Sequence, residues 1–388
     1  ILEGRDVMGL AQTGTGKTAA FVLPILQRLI QGPRGRVRAL IIAPTRELTE
    51  QTHKAIGQLG RRTKLSSASI YGGVSMQPQI NKLRNNVEIV SACPGRLLDH
   101  IRRGTINLSN IEVLVLDEAD QMFDMGFLPD IRKIVQHLPA GRQTLLFSAT
   151  MPGDIRKLAN ELLQDPVHVK IGHTAPADTV SHTFYPVEKS LKSALLKKLF
   201  DTTTMDAVLV FTRTKHSAKG LAQQLEKSGY KAASLHGNLS QRQRQQALDG
   251  FRDGRYKILI ATDIAARGID VTLISHVINY DMPDTTDAYT HRIGRTGRAR
   301  KTGDALSFVT SIDKGLERSL KGLLGDKLNY HTVDGFDYRK EIRETHPRRK
   351  EHESRRNEGK KFSPPRRREP NKPEYRSSRG MSRNSWAN

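Results

Sequence analysis

The chain has 388 residues, of which 37% are hydrophobic and 27% are charged. At roughly 150 residues per domain, this length predicts two domains and a further segment. Fibrous and membrane proteins are excluded, because the longest apolar runs, such as Ala39–Ala43, are far shorter than the about 18 residues of a membrane span. The single cysteine, Cys93, allows no internal disulfide and no cysteine-built zinc site. It therefore favours a reducing compartment and predicts a cytoplasmic protein.

The charge of the chain is strongly positive. Lysine and arginine outnumber aspartate and glutamate by 63 to 40, which gives a formal net charge of +23. Such a charge attracts polyanions and makes nucleic acid the first partner to consider. Residues 341–388 hold 15 Lys/Arg against 7 Asp/Glu, a net +8 that leaves +15 on the rest of the chain. That composition cannot bury a core, and we predict a disordered basic tail over residues 336–388.

The predicted elements alternate along the chain between strands and helices. Apolar β-branched runs predict buried strands at Val37–Ala43, Val113–Leu116, Thr144–Phe147, Ala207–Phe211, Ile258–Ala261, His276–Asn279 and Ala305–Val309. Amphipathic segments predict helices at Ala19–Ile30, Leu48–Leu59, Ile131–His137, Ser217–Lys227 and Arg242–Phe251. This alternation is typical of an α/β fold with parallel sheets. Because two such sets occur, we predict domains over residues 1–171 and 181–335, joined by a polar linker over residues 172–180.

A phosphate-loop pattern precedes the first predicted helix, with the sequence Ala11-Gln12-Thr13-Gly14-Thr15-Gly16-Lys17-Thr18. In such a loop the glycines let backbone N–H groups converge on phosphates, the lysine neutralises their charge and the last hydroxyl reaches Mg²⁺. Ala11 replaces the first glycine of the general pattern. The alternative is a chance turn before a helix.

Acidic residues follow one of the predicted strands directly, as Asp117-Glu118-Ala119-Asp120. Ligands of open α/β sheets bind at the carboxyl ends of the strands. Asp117 is therefore a candidate for holding Mg²⁺, and Glu118 for orienting or deprotonating an attacking water. The alternative is an ordinary acidic first turn of a helix.

Three further motifs lie near strand ends or helix starts. Ser148-Ala149-Thr150 carries hydroxyls that suit a bond to Asp120. The segment His291-Arg292-Ile293-Gly294-Arg295-Thr296-Gly297-Arg298 sets three arginines at three-residue spacings, which suits contact with a γ-phosphate across a cleft. A solvated basic helix end is the alternative for this segment. The segment 261–270 offers a hydroxyl, two carboxylates and a glycine, and its separate meaning stays open.

These motifs, in this order, resemble the DEAD-box ATP-dependent RNA helicases over residues 1–320. Further segments similar to family motifs are Pro44-Thr45-Arg46-Glu47-Leu48, Tyr71-Gly72-Gly73, Pro94-Gly95-Arg96, Phe211-Thr212-Arg213, and Leu235-His236-Gly237 with Gln241 and Arg244. The resemblance implies two tandem RecA-like domains. Within the family, the sequence looks most like the bacterial RhlE-type branch.

The resemblance implies ATP and Mg²⁺ as ligands and assigns residues to each step. The nucleotide would be bound by Gly14, Thr15, Gly16, Lys17, Thr18 and Asp270, with Mg²⁺ on Thr18 and Asp117. The catalytic set would be Lys17, Asp117, Glu118, Arg295 and Arg298, the two arginines acting as fingers when the domains close. Coupling between the domains would rest on Asp120, Ser148, Thr150, His291 and Arg292.

The same resemblance implies an RNA path across both domains. It would comprise Pro44, Thr45, Arg46, Gly73, Gly95 and Arg96 in the first domain, and Arg213, Gly237, Arg244 and Thr262 in the second. Such groups suit phosphates and sugar edges, so we expect RNA binding, to single strands or short duplexes, that does not depend on sequence.

The sequence departs from the family pattern in two places. The family's first motif, a Phe followed by a Gln that reads adenine, would lie upstream of Ile1, so we expect a fragment that lacks the N-terminal part of its first domain. Adenine selectivity is then open for this chain. Cys93 stands where the family usually carries Thr, and its weaker hydrogen bond predicts a modest effect on RNA binding.

Two other functions remain open from the residues. A non-catalytic RNA clamp would not need Lys17, Glu118 and Arg298, and a DNA helicase would share the phosphate-reading residues. The expected molecule is a monomer without a membrane partner that remodels RNA in ribosome assembly or RNA decay, with proteins of those pathways as candidate partners.

Overall fold

The computed structural model describes residues 1–11, 15–171, 180–266, 274–297 and 302–339. These residues form two seven-stranded sheets, each with parallel strands only and helices on its faces. The predicted α/β class with two parallel sheets is confirmed. Predictions for Gly14, Asp270, Arg298, the linker up to residue 179 and the tail beyond residue 339 fall outside the described residues.

The first sheet has the strand order β3-β4-β2-β5-β6-β1-β7. Its elements along the chain are β1 (Val7–Ala11), α1 (Lys17–Ile30), β2 (Ala39–Ile42), α2 (Arg46–Leu59), β3 (Ser67–Ile70), α3 (Gln77–Arg84), β4 (Ile89–Ala92), α4 (Pro94–Arg102), β5 (Val113–Leu116), α5 (Ala119–Asp124), α6 (Leu128–Val135), β6 (Gln143–Ser148), α7 (Gly153–Leu162) and β7 (Val167–Ile171).

The second sheet has the order β10-β11-β9-β12-β13-β8-β14. Its elements are β8 (Val180–Pro186), α8 (Lys192–Thr202), β9 (Val208–Phe211), α9 (Lys215–Lys227), β10 (Ala232–Leu235), α10 (Gln241–Arg252), β11 (Ile258–Ala261), α11 (Asp263–Ala266), β12 (His276–Asn279), α12 (Thr286–Ile293), β13 (Gly303–Val309), α13 (Lys314–Leu324) and β14 (Leu328–Tyr330). The connection before each parallel strand runs through a helix in most cases, as this geometry requires.

The central strands are apolar throughout because both of their faces are covered. The side chains of β2 and β5 are fully or almost fully buried, with alternate residues packing on opposite faces of the sheet. Helix α1 covers one face with Phe21, Ile25 and Leu29. All carboxyl ends of a parallel sheet meet at one edge, so the segments after β1, β2, β5 and β6 are brought together there.

The predicted boundaries need adjustment at the ends of the second domain. Val180, predicted in the linker, begins β8, where it pairs with Gly303. Phe336 and Tyr338, predicted in the tail, pack against the second core and stack edge to face with ring centroids 4.8 Å apart. The two aromatic rings bury apolar area against the second domain, which the basic residues that follow them in the sequence cannot do. Among the described residues, no helix is both long and apolar enough to cross a membrane.

A buried histidine makes the stability of the second domain depend on pH. His182 in β8 is fully buried, and burial lowers its pKa to about 4, with the charge of Lys327 acting in the same direction. The unfolded chain takes up this proton near pH 6.5, well before the folded chain does. The contribution of neutral His182 to the free energy of unfolding is therefore fully present above pH 6.5. It is lost as the pH falls toward 4.

We expect replacement of His182 by glutamine to flatten this dependence. Between pH 6.5 and 4.5 the free energy of unfolding of the parent should fall by about 2 kcal/mol more than that of the His182→Gln variant. Urea unfolding at the two pH values measures the difference, with exposed His137→Gln as the matched control. Equal losses in parent and His182→Gln would contradict the prediction.

Candidate nucleotide and RNA site

The phosphate loop connects β1 to α1 at the carboxyl edge of the first sheet. Gly16 caps the helix in the left-handed conformation, with φ 89°, which a residue with a side chain adopts at a cost. Lys17 is the first helical residue, and its Nζ donates to the carbonyl oxygen of Ala11 at 2.9 Å. The first helical turn contains no acidic residue, so the N–H groups and the lysine together favour an anion.

Asp117 and Glu118 follow β5 at the same carboxyl edge of the first sheet as the phosphate loop. Asp117 is 2% exposed, and its Oδ1 has no hydrogen-bond partner within the described part of the chain. Burial raises the pKa of Asp117 to about 6, against the opposing effect of Lys17. A buried carboxylate oxygen with no protein donor is a hard oxygen ligand that fits Mg²⁺, and Thr18, in the first turn of α1, would add a hydroxyl oxygen. Among the described residues, no group of three or more His, Cys, Asp or Glu could hold a metal.

Glu118 has an unusual backbone. It caps α5 with φ 54° and ψ 53°, a left-handed conformation that costs a non-glycine residue about 1 kcal/mol or more. Its side chain is 3% exposed and lines a small cavity with Lys17. Strain of this kind persists where the surrounding structure enforces it, and it is enriched at functional sites.

Asp120 connects the acidic motif to the end of β6. Its Oδ2 accepts hydrogen bonds from the N–H of Ala149 at 3.1 Å and from the N–H and hydroxyl of Thr150 at 2.8 and 3.0 Å. The hydroxyl of Ser148 accepts from the Asp120 N–H at 3.2 Å and donates to the Thr150 carbonyl at 2.7 Å. The bond between these hydroxyl residues and Asp120 suggested by the sequence is present.

The second domain contributes His291 to this network. Its Nε2 lies 3.6 Å from Oδ2 of Asp120, longer than a hydrogen bond but close enough for electrostatic attraction. Burial alone would raise the pKa of Asp120, but the His291 ring and the Thr150 donors outweigh it and lower the pKa to about 2. The carboxylate is therefore ionised at neutral pH and faces the other domain.

One cavity is lined by residues of both domains. The first domain supplies Lys17, Glu118, Asp120, Gln121, Ala149 and Thr150, and the second supplies Thr290, His291, Gly294 and Arg295. Arg295 is 5% exposed. The side chain of Arg292 instead stays within its own domain, where it pairs with both carboxylate oxygens of Asp263 at 2.6 and 2.7 Å. A separate apolar cavity of about 320 Å³ extends from Gly16 past Phe147 to Ile171 on β7.

The predicted RNA residues of the first domain lie at neighbouring strand ends. Thr45 caps α2 by accepting from the N–H of Leu48 at 3.3 Å. The Arg46 guanidinium lies against Gly73, whose φ is 76°, and a side-chain carbon at Gly73 would come within 2.0 Å of it. Arg96 donates twice to the carbonyl of Val74, at 3.2 and 3.1 Å. These contacts order the loop that carries Gly73 beside the start of α4.

Cys93 fills the position before this helix without exposing its sulfur. The thiol is buried and lies 3.3 Å from the hydroxyl of Thr49. Burial raises the pKa of Cys93 to about 11, so the thiol stays protonated at neutral pH. The contact is internal to the first domain, and the modest effect of this cysteine on RNA binding stays a prediction.

The predicted RNA residues of the second domain are divided between its surface and the domain interface. Arg213 is half exposed and donates to the carbonyl of Met282 at 3.2 Å. Gly237 and Thr262 follow β10 and β11 at the carboxyl edge of the second sheet. Arg244 is buried against the first domain, and its Nη2 lies 2.6 Å from Oε1 of Glu47. Glu47 belongs to one of the motifs that resemble the family, but the sequence indicates no role for it because its partner is distant along the chain.

A second contact joins the same faces of the two domains. Arg46 Nη1 donates to Oε1 of Gln241 at 3.3 Å, next to the ion pair of Glu47 and Arg244. Both side chains of the ion pair are largely buried, at 7% and 11% exposure. The first turn of α2 therefore contacts the first turn of α10 across the domain boundary.

The fold and this site define a class: a nucleotide-binding protein with a phosphate loop, built from two tandem RecA-like domains whose residues share one cavity. Comparison with known proteins gives the family. The DEAD/DEAH box helicase model matches residues 1–158, and the helicase conserved C-terminal domain model matches residues 191–300. The chain belongs to the DEAD-box RNA helicase family.

Curated relatives agree with this assignment. The chain is 42% identical over 321 residues to the DEAD-box ATP-dependent RNA helicase CshA of Bacillus subtilis, covering 82% of this chain and 65% of that protein. It is 43% identical to CshA of Geobacillus kaustophilus over 82% and 69% of the two chains, and 41% identical to the RNA helicase CrhR of Synechocystis over 86% and 68%. The chain thus spans about two thirds of the length of these relatives.

Solved structures with the same two-domain arrangement include two that hold RNA. S. cerevisiae Dbp5 bound to RNA and ADP BeF3 has a TM-score of 0.75 and 32% identity, covering 85% of this chain and 86% of that one. Mss116p bound to ssRNA and AMP-PNP has a TM-score of 0.75 and 28% identity, covering 85% and 72%.

Proposed function

We propose that the chain is an ATP-dependent RNA helicase in which ATP-driven closure of two domains clamps RNA and opens short duplexes. The observation that carries the proposal is the shared cavity, where Lys17 and Glu118 of one domain face His291 and Arg295 of the other. A site assembled from two domains hydrolyses ATP only when they are closed. Hydrolysis to ADP and phosphate would then release the RNA.

The residues of the first domain would bind and activate the nucleotide. Backbone N–H groups from Gly14 to Thr18, together with the Lys17 amine, would hold the phosphates, and the apolar cavity beside Gly16 suits the nucleoside. Thr18 and Asp117 would hold Mg²⁺, which supplies neutralisation of phosphate charge when bound. Glu118, fixed by its strained backbone, would orient the attacking water and accept its proton.

The second domain would complete the site. Arg295 and Arg298 would offset the charge that develops on the transferred phosphoryl group, and Asp270 would contact the ribose. His291 and Asp120 would couple the two domains, since the ionised carboxylate attracts the imidazole across the cleft. Ser148 and Thr150 would hold Asp120 in place, and Arg292 would fix the helix that carries His291.

RNA would lie along a surface to which both domains contribute. Arg46, Arg96 and Arg213 supply positive charge, and the residues around Gly73, Gly95 and Gly237 offer backbone groups to phosphates. The remaining predicted contacts are Pro44, Thr45 and Thr262, whereas Arg244, predicted with them, is buried against Glu47 and would act at the domain interface instead. Binding through phosphates and sugars reads no bases, so we expect little dependence on sequence.

The resemblance to nucleotide-bound and RNA-bound structures supports the closing step. Dbp5 with RNA and ADP BeF3, and Mss116p with ssRNA and AMP-PNP, share the domain arrangement of this chain. Here that arrangement includes the ion pair of Glu47 with Arg244 and the contact of Arg46 with Gln241. Ligands that bind the closed form more tightly than the open form would shift the population toward it.

The proposal is tested by ATP hydrolysis measured without nucleic acid, with single-stranded RNA and with DNA of matched sequence. Stimulation by RNA, together with ATP-dependent separation of a short RNA duplex, is the expected result. Stimulation by DNA instead would make the chain a DNA helicase, and RNA binding without any hydrolysis would make it a clamp. Either of these outcomes would overturn the proposal.

The buried interdomain ion pair gives a prediction about closure. Removing one partner of a buried ion pair leaves the other charge uncompensated, and this pair joins the two domains in the arrangement that we propose is the closed form. We expect Glu47→Ala to weaken RNA binding at least about 10-fold in the presence of a non-hydrolysable ATP analogue and much less in its absence. Equilibrium RNA binding measures both values, and Glu161→Ala, at an exposed ion pair with Arg132, is the control.

The Arg244→Ala variant distinguishes the interdomain role from a direct RNA contact. If Arg244 acts through Glu47, this variant should weaken binding only with the nucleotide analogue, and Glu47→Ala should add nothing to it. Equal weakening with and without nucleotide would make Arg244 a direct RNA ligand and contradict the interdomain role.

The basic tail should increase the affinity for RNA without contributing to ATP hydrolysis. Residues 341–388 carry a net +8, and binding through such charge weakens steeply as salt rises. We expect a chain ending at residue 339 to bind RNA more weakly at low salt, with the difference shrinking at high salt and the RNA-independent ATPase unchanged. Salt titration of RNA affinity measures this. Equal affinity of both chains at low salt would contradict it.

The finer assignments belong to the same proposal. We place the chain in the RhlE-type branch, as a cytoplasmic monomer acting on RNA in ribosome assembly or RNA decay. The motifs quoted above and the basic tail support the branch, and the net charge supports the polyanionic partner.

A further inference from the structure

Arg292 is fully engaged inside the second domain. Its Nε and Nη2 donate to the two carboxylate oxygens of Asp263, and its Nη1 donates to the carbonyl of Asp281 at 2.6 Å and to Oδ1 of Asn279 at 3.0 Å. The guanidinium also lies over the ring of Phe211, 4.9 Å from its centre. Arg292 is 3% exposed, and its donors are bonded within the second domain. We therefore expect it to hold α12 in place and not to bind a phosphate.

Asn279 connects this arginine to the neighbouring strand. It is the last residue of β12 and pairs in register with Ser307 on β13. Its Oδ1 accepts from Arg292, and its Nδ2 donates to Oγ of Ser307 at 3.0 Å. Both Asn279 and Ser307 are fully buried, so each bond is protected from water.

A second contact holds the same helix one turn earlier. Tyr289 lies three residues before Arg292 on α12. The Tyr289 hydroxyl lies 3.0 Å from Nδ1 of His182, and its ring packs edge to face on Phe184. Residues three apart share a helix face, so β12, through Arg292, and β8, through Tyr289, hold α12 at two points on one side.

The opposite side of α12 and the turn after it face the first domain. His291 lies 3.6 Å from Asp120, and Arg295 lines the cavity shared with Lys17 and Glu118. We propose that Asn279, held by Ser307 and acting through Arg292, is a positioning residue that sets where His291 and Arg295 stand in the closed site. This inference rests on the proposed ATPase function and adds a residue that touches neither nucleotide nor RNA.

A shift of about 1 Å at a reacting group costs on the order of 100-fold in rate. We therefore expect Asn279→Ala to lower kcat of RNA-stimulated hydrolysis by about 10-fold or more, with KM for ATP changed by less than about twofold. Ser307→Ala, which removes less volume, should lower kcat in the same direction. It serves as the test if Asn279→Ala fails to fold.

The control is Ile278→Ala on the same strand. The side chain of Ile278 is equally buried but belongs to the core on the other face of the sheet. The Ile278→Ala variant should be less stable than the parent chain. It should keep the parental kcat at a temperature where all variants are folded. A double variant with His291→Ala should lose less kcat than the product of the two single losses, because part of the effect of Asn279 passes through His291.

Hydrogen exchange of the nucleotide-free chain provides a readout apart from activity. Asn279→Ala should accelerate exchange in α12 selectively, whereas Ile278→Ala should accelerate it in helices on the other face. Unchanged protection of α12, or a parental kcat in Asn279→Ala and Ser307→Ala, would overturn the inference while leaving the proposed function intact. A parent chain without RNA-stimulated hydrolysis would instead overturn the proposed function.

Discussion

Glu118→Gln is expected to lower RNA-stimulated ATP hydrolysis by about 100-fold or more, because an amide cannot accept the proton of the attacking water. Glutamine keeps the volume of the side chain and tolerates the left-handed backbone no worse than glutamate, so the fold should be unchanged. ATP and RNA binding should persist, and the RNA complex formed with ATP should dissociate more slowly because hydrolysis no longer ends it.

Single-turnover hydrolysis and RNA dissociation in the presence of ATP measure the two parts of this prediction. Glu161→Gln, at an exposed glutamate in the same domain, provides the matched control. Hydrolysis within a few-fold of the parent would rule out Glu118 as the base.

Arg295→Ala is expected to have an effect at least as large, about 1000-fold on RNA-stimulated kcat. The residue lies in the second domain, yet it lines the cavity that contains Lys17 and Glu118 of the first. Nucleotide binding to the first domain should be nearly unchanged, because the arginine is needed when the domains close around the transition state.

Measuring kcat and ATP affinity separately in the Arg295→Ala variant tests this role. Arg255→Ala, at an exposed arginine paired with Asp253 on the same domain, controls for loss of one positive charge. A large loss of ATP affinity with a small loss of kcat would place Arg295 in ground-state binding and contradict the proposed role.

The chemistry of the site could be predicted from the sequence because its residues are contiguous in short motifs. Lys17 begins α1 and Glu118 follows β5, positions that local rules for parallel sheets already predict. The strands β3 and β10 were not predicted, because their sequences, Ser67–Ile70 and Ala232–Leu235, are short and hold small or polar residues. Their places in the sheets come from pairing with β4 and β11, which no local pattern records.

Contacts between distant residues were the main part that the sequence did not predict. Glu47 and Arg244 are 197 positions apart, so neither residue alone indicates that the two form a buried ion pair. Asn279 has the same difficulty, since an asparagine at a strand end is ordinary until Ser307 and Arg292 are brought beside it. The aromatic residues Phe336 and Tyr338 were included in the tail because basic composition outweighed two rings in a short window.

The two sheets have no strand in common, and the hydrophobic clusters of one share no residue with those of the other. Each half therefore carries its own cooperative core, and the loss of one core does not require the loss of the other. Activity depends on both halves together. A damaged molecule can consequently be inactive while half of it remains folded, and a melting temperature taken from a single signal would describe one domain, not the enzyme.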